Sequence, residues 1–230
     1  MALNHDKNDF SFNDKLNDFL QKNRKGMVVC LALILAAVAV FVVFSAVTEN
    51  TNEKALSKVE DFIRRYEALR IFITSENPED AAKKADVETL IQDLAAFESR
   101  ATGYAAARAY ALSAGIYGDQ KNWAEAEKAW LDAAKAGAKT YFEPIALFNA
   151  ASTMEEQGNL AAAVETYNQI LRSFSDTFPQ AARVQFAVGR LQEEQGSKDA
   201  ALEAYKALIG KWPSDPVWSN LAHDRILVLE

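Results

Sequence analysis

The chain has 230 residues, with 25 Lys and Arg against 32 Asp and Glu, a net charge of −7, one cysteine and two histidines. So acidic a balance excludes nucleic acid as the main partner. One cysteine and two histidines exclude an internal disulfide framework, a Cys/His metal site and a histidine-based triad.

Residues 1–26 form a polar tail in which Phe12, Leu16, Phe19 and Leu20 recur at helical spacing among Asp14, Lys15, Asn17 and Asp18. That spacing fits a helix lying on a lipid surface or running into the next segment, and a solvated tail fits equally well. His5 stands in this tail with no second ligand near it and reads as a surface residue.

Met27 to Val47 is an uncharged run built mainly of Val, Leu, Ala, Ile and Phe. At about 1.5 Å of rise per residue it makes a helix of about 30 Å, the thickness of a bilayer's hydrocarbon core. A helix buried in a globular core would carry a polar stripe, and this run has none. Lys22, Arg24 and Lys25 precede it, while Thr48, Glu49, Asn50, Thr51, Asn52 and Glu53 follow. Basic flanks stay cytoplasmic, so a single-pass anchor is expected, with the amino terminus inside and residues 48–230 outside the cytoplasm. Val43-Phe44-Ser45 makes a poor cleavage site and Cys30 lies within the run, so neither a cleaved signal nor a lipid attachment is expected.

Residues 48–230 carry 20 basic and 28 acidic side chains, which favours protein over nucleic acid or anionic lipid as partner. Residues 48–102 read as a stalk helix and a helical hairpin. Leu56, Val59, Phe62, Ile63, Tyr66, Leu69 and Ile73 form one apolar stripe, ended by Ser75-Glu76-Asn77-Pro78. A second helix from about Glu79 to Glu98 buries Val87, Leu90, Ile91, Leu94 and Phe97 against it. Pairing of the stalk with another chain as a coiled coil is the alternative, but the spacing fits 3.6 better than a heptad.

From about residue 103 the chain repeats itself. Glu155-Glu156-Gln157-Gly158 through Tyr167 is echoed thirty-eight residues later by Glu193-Glu194-Gln195-Gly196 through Tyr205. Gly158 and Gly196 fall where paired helices reverse, Ala163 and Ala201 where they approach, and Tyr167 and Tyr205 in the space beyond. An upstream copy places Ala126, Trp130 and Ala133 at the positions of Ala163, Tyr167 and Ile170, with Lys121-Asn122 replacing the turn glycine. A final helix from about Val217 to Leu229, with Trp218, Leu221, Ile226 and Leu227, serves as a cap. All five prolines are expected at joints, outside the helices. The pattern resembles the tetratricopeptide repeat. The expected fold is all-α: one N-terminal transmembrane helix, then a tetratricopeptide-like helical-hairpin solenoid over residues 103–230.

The chemistry is sparse. No phosphate loop or Rossmann glycine pattern occurs, so no cofactor and no catalytic residue is expected. Neighbouring carboxylates such as Glu155-Glu156 and Glu193-Glu194 point in different directions on a helix, and Asp224 does not face His223. In the repeat family the first helix of each pair lines a groove. That resemblance places Arg108, Ala111 and Gly115 there from the first copy, Ile145, Phe148, Ser152 and Glu155 from the second, and Arg183, Phe186, Arg190 and Glu193 from the third. Phe148 and Phe186 either face the groove or pack between repeats.

The whole plan also resembles a narrower family. The tail with Leu16, Phe19, Lys22, Asn23 and Lys25, the uncleaved anchor, Thr102-Gly103-Tyr104-Ala105-Ala106 and the acidic repeat domain are similar to the YfgM-like ancillary subunits of the bacterial Sec translocon. The resemblance implies a non-enzymatic scaffold associating with translocon subunits, periplasmic chaperones or exported polypeptides. A structural part of another envelope machine is the alternative: outer-membrane assembly, or a flagellar or division apparatus. A closed small-ligand pocket or an enzyme site is not expected from an open solenoid without clustered titratable groups.

Overall fold

A computed structural model of the protein describes residues 8–75 and 80–230, with the backbone alone described for 8–15, 18 and 44–50. His5, Glu76, Asn77 and Pro78 lie outside the described residues. The elements run α1 (Asn8–Ile73), α2 (Ala81–Glu98), α3 (Gly103–Asp119), α4 (Trp123–Ala136), α5 (Phe142–Glu156), α6 (Leu160–Phe174), α7 (Ala181–Glu194), α8 (Lys198–Lys211) and α9 (Trp218–Leu229). Two compact units result, Met1–Lys54 and Ala55–Glu230.

In the first unit the chain is helical from Asn8. Phe19–Val43 is long and apolar enough to cross a membrane, with a mean hydropathy of 3.1. Its side chains have no protein to cover them: Leu33, Val40 and Phe41 are each at least 65% exposed. The side chains of residues 44–47, the end of the span expected from sequence, are not described.

The second unit begins with the last part of α1. Val59 and Phe62 of α1, Leu90 and Leu94 of α2, and Ala109, Leu112 and Ile116 of α3 form one buried cluster. Phe62 meets Phe97 edge-on at 5.7 Å, an arrangement aromatic rings favour. α2 starts at Ala81, two residues later than the apolar stripe suggests, because the Asp80 carboxylate accepts the amides of Ala82 and Lys83 at 3.0 and 3.2 Å.

The rest is a solenoid of antiparallel pairs, α3 with α4, α5 with α6 and α7 with α8, closed by α9. Alanines let the paired helices approach: Ala133, Ala163 and Ala201 are fully buried, with Tyr167 and Tyr205 almost completely enclosed behind them. Each pair turns in the same way. The amides of Asn122, Asn159 and Ser197 donate to the carbonyls of Tyr117, Met154 and Gln192 at 2.8–2.9 Å, capping the preceding helix. The residue before each of them must take a positive φ, which Gly158 and Gly196 supply at 72° and 75°. Lys121 holds the equivalent place at 58°, so the geometry persists without glycine.

One expectation is corrected. Pro144 is not at a joint but in the first turn of α5 (Phe142–Glu156), and it is buried there. A first-turn amide has no acceptor within its own helix, so proline removes nothing from the hydrogen-bond ladder. Pro179, Pro213 and Pro216 do lie between helices.

Candidate functional site

The first helices of successive pairs present a common face, and the expected groove residues divide on it. Phe148, Ser152 and Glu155 of α5 line a cleft of about 320 Å³ with Arg183, Phe186 and Arg190 of α7. Phe186, Arg190 and Glu193 also line an adjoining cleft of about 370 Å³ with Tyr205 and Arg225. Ile145 belongs to a separate hollow of about 560 Å³ with Tyr141, Pro144, Phe174, Phe178 and Gln180. Arg108 joins none of these. Its guanidinium donates to Glu60 of α1 at 2.5 Å, and it is tied to the first helices of the unit. Ala111 and Gly115 are half-buried.

Phe148 and Phe186 do both things sequence reasoning held apart. Phe148 packs on Tyr167 at 5.6 Å and Phe178 at 6.4 Å, and Phe186 packs on Tyr205 and Trp218, each at 5.4 Å. Both remain half-buried and contribute to the cleft lining. The result is an aromatic floor held in place by the repeats behind it.

The walls are built by a polar arrangement used twice. Tyr167 of α6 donates to Glu155 of α5 at 2.7 Å, and Glu155 also pairs with Arg190 of α7. One repeat on, Tyr205 of α8 donates to Glu193 of α7 at 3.2 Å, and Glu193 pairs with Arg225 of α9. Burial, together with these carboxylates, pushes both phenols up, Tyr205 to about 12 and Tyr167 well above its usual range. Asp119 of α3 takes a similar place, accepting from Tyr66 and lying 3.5 Å from Arg70 of α1. Each carboxylate therefore fixes one helix to the next, and its charge is matched inside the chain.

Arg183 differs. Its guanidinium lies 4.8 Å from the Phe148 ring centroid and donates to Gln180 at 3.3 Å, and among the described residues it has no carboxylate partner. Of these residues the sequence pointed to Arg183 as a groove residue, to Tyr167 and Trp218 only as packing and capping residues, and not to Arg225. A signal for Trp218 and Arg225 existed in the recurrence of an aromatic about thirty residues after Phe148 and Phe186, and of an arginine two helices after each of Glu155 and Glu193.

Chemically the face offers stacking and ion pairing. Among the described residues no group of His, Cys, Asp or Glu is arranged to hold a metal ion. Residues 148–216 match the tetratricopeptide repeat. The solenoid is of the tetratricopeptide-repeat type. The matched segment begins in α5 and runs through α8, the part of the chain whose two copies build the cleft. A relative from Treponema pallidum (strain Nichols), described as a TPR repeat-containing protein, is 28% identical over 225 residues, 94% of this chain and 93% of its own. The likeness thus reaches beyond the repeats. Tetratricopeptide arrays are scaffolds for protein–protein contact, and that is the class of activity the match indicates.

Proposed function

We propose that this chain is a membrane-anchored scaffold whose cleft between α5, α7 and α9 holds an extended stretch of another protein. The observation that carries the reading is the aromatic floor of Phe148, Phe186 and Trp218, left half-open between walls in which Glu155 is paired with Arg190 while Arg183 and Glu156 have no ion-pair partner among the described residues. Rigid aromatic anchors give contact area at small entropic cost, which suits an extended polypeptide. The exposed apolar helix Phe19–Val43 supports the anchor, since so much uncovered apolar surface needs a lipid surrounding. Basic Lys22, Arg24 and Lys25 on one side favour a cytoplasmic amino terminus and a repeat domain in the periplasm.

The resemblance to YfgM-like subunits extends this reading to an ancillary translocon subunit that passes exported chains to periplasmic chaperones. Photocrosslinking in intact membranes tests it, with a photoreactive residue at Glu156, which is exposed and lines the cleft, and a control at exposed Lys198. Translocon subunits, chaperones or exported polypeptides captured from Glu156 alone are expected. A different fixed assembly at Glu156 would remove the translocon role, and equal labelling at both positions would remove the cleft.

A further inference from the structure

Resting on the reading of the cleft as a polypeptide site, we infer that it selects segments of the form apolar–x–acidic–x–apolar. Three features along α5 and α7 define that pattern. The hollow beside Pro144 and Ile145 is walled by Tyr141, Phe174 and Phe178, and suits one large apolar side chain. The cleft over Phe148 and Phe186 suits another. Gln180, the residue that precedes α7, lines the first and Arg183, in the first turn of α7, lines the second, so the two hollows follow one another along α5.

The spacing follows from helix geometry. From Pro144 to Ser152 is eight residues of α5, about 12 Å of axial rise. An extended chain covers about 13 Å in four residues, and residues i, i+2 and i+4 point to the same side. Two apolar side chains at i and i+4 therefore reach both hollows, and the side chain at i+2 arrives between them, beside Arg183.

Charge decides what stands at i+2. Arg190 and Arg225 are paired with Glu155 and Glu193, and Arg108 with Glu60. Arg183 donates through one nitrogen to the neutral Gln180 and lies over Phe148, and with no carboxylate partner among the described residues it is the cation of the cleft that can donate to a carboxylate. Residues 48–230 as a whole are acidic and Glu156 lines the same cleft, so the preference for an acidic side chain is local and rests on Arg183 at the Phe148 ring.

The test uses the full chain in lipid nanodiscs and fluorescein-labelled eleven-residue peptides of Gly, Ser and Thr carrying a Phe-Thr-Asp-Thr-Phe core, read by fluorescence polarisation. The native chain is expected to bind the Asp peptide about tenfold more tightly than the same peptide with Lys at the centre. Arg183→Glu, at an exposed position, should keep its circular dichroism and reverse that order. A peptide with the two Phe residues brought to i and i+2 should bind more weakly. Equal affinity for the Asp and Lys peptides would overturn the acidic preference while leaving the polypeptide cleft standing. Unchanged affinity for the closer Phe pair would overturn the two-hollow spacing. No binding of any peptide would overturn both this inference and the reading beneath it.

Discussion

Tyr205 lays its ring where any side chain on Gly189 would have to stand: a Cβ built on Gly189 falls 2.5 Å from Cε1 and 2.7 Å from Cδ1 of the ring. Ring and backbone are both enclosed, so neither can move aside cheaply. Gly189→Ala is expected to cost about 1–3 kcal/mol of stability, the usual range for overpacking. Thermal unfolding of the full chain measures it. One repeat earlier Ala151 occupies the same register and is fully buried, so Ala151→Gly should cost about 1–2 kcal/mol, through backbone entropy and the lost buried methyl.

Lys121 adopts the left-handed conformation that Gly158 and Gly196 supply in the later turns. Lys121→Gly should therefore stabilise the chain by up to about 1 kcal/mol, and Gly158→Ala should destabilise it by about 1 kcal/mol. Denaturant midpoints of the two variants, moving in opposite directions, check this.

Tyr66 and Tyr205 titrate at about 12 in the folded chain, raised from 10.0 first by burial and then by Asp119 and Glu193. Their stabilisation is fully present below the unfolded value and is lost as pH rises through the folded one, because the unfolded chain gives up its phenolic protons first. Stability should fall from about pH 10 to pH 12, and Tyr205→Phe should make that slope shallower. Equal slopes in the two proteins would count against the buried Tyr205–Glu193 arrangement.

Burial raises the Glu98 carboxyl on α2, partly opposed by the hydroxyl of Ser113, which donates to it at 2.6 Å, and reinforced by Asp132. For a carboxyl raised on folding, stability is complete below the unfolded pKa and declines as pH climbs through the folded one. Glu98→Gln should raise stability at pH 7, by no more than about 1 kcal/mol because solvent screens part of the effect. It should make no difference at pH 3. Urea titrations at the two pH values separate these cases.

The parts of this molecule set by local periodicity were legible in the sequence. The turn glycines, the alanines of close approach and the buried tyrosines recur at a fixed interval because each does the same work in its own hairpin. The first-helix face was legible for the same reason, and six of its expected residues line one cleft. What escaped depends on the angle between one hairpin and the next. Arg108 turns to Glu60, forty-eight residues away, and Arg190 and Arg225 turn to the preceding first helix. No local spacing encodes those partners. Pro144 was misplaced because a proline marks a joint and a first helical turn equally well. Gly189 was passed over because its need for glycine comes from a tyrosine in a different helix.

The cleft itself is the central claim, and blocking it tests that claim most directly. Ser152 lines the cleft and Lys198 is exposed outside it, so Ser152→Trp fills the site and Lys198→Trp does not. Glu156→Trp, at the exposed rim, gives a second blocked variant that disturbs less of the packing. Binding of reduced, carboxymethylated lactalbumin to the full chain in nanodiscs should be lost in Ser152→Trp and Glu156→Trp and retained in Lys198→Trp, with all three folded by thermal unfolding. Equal binding by the blocked and control variants would contradict a polypeptide site between α5, α7 and α9.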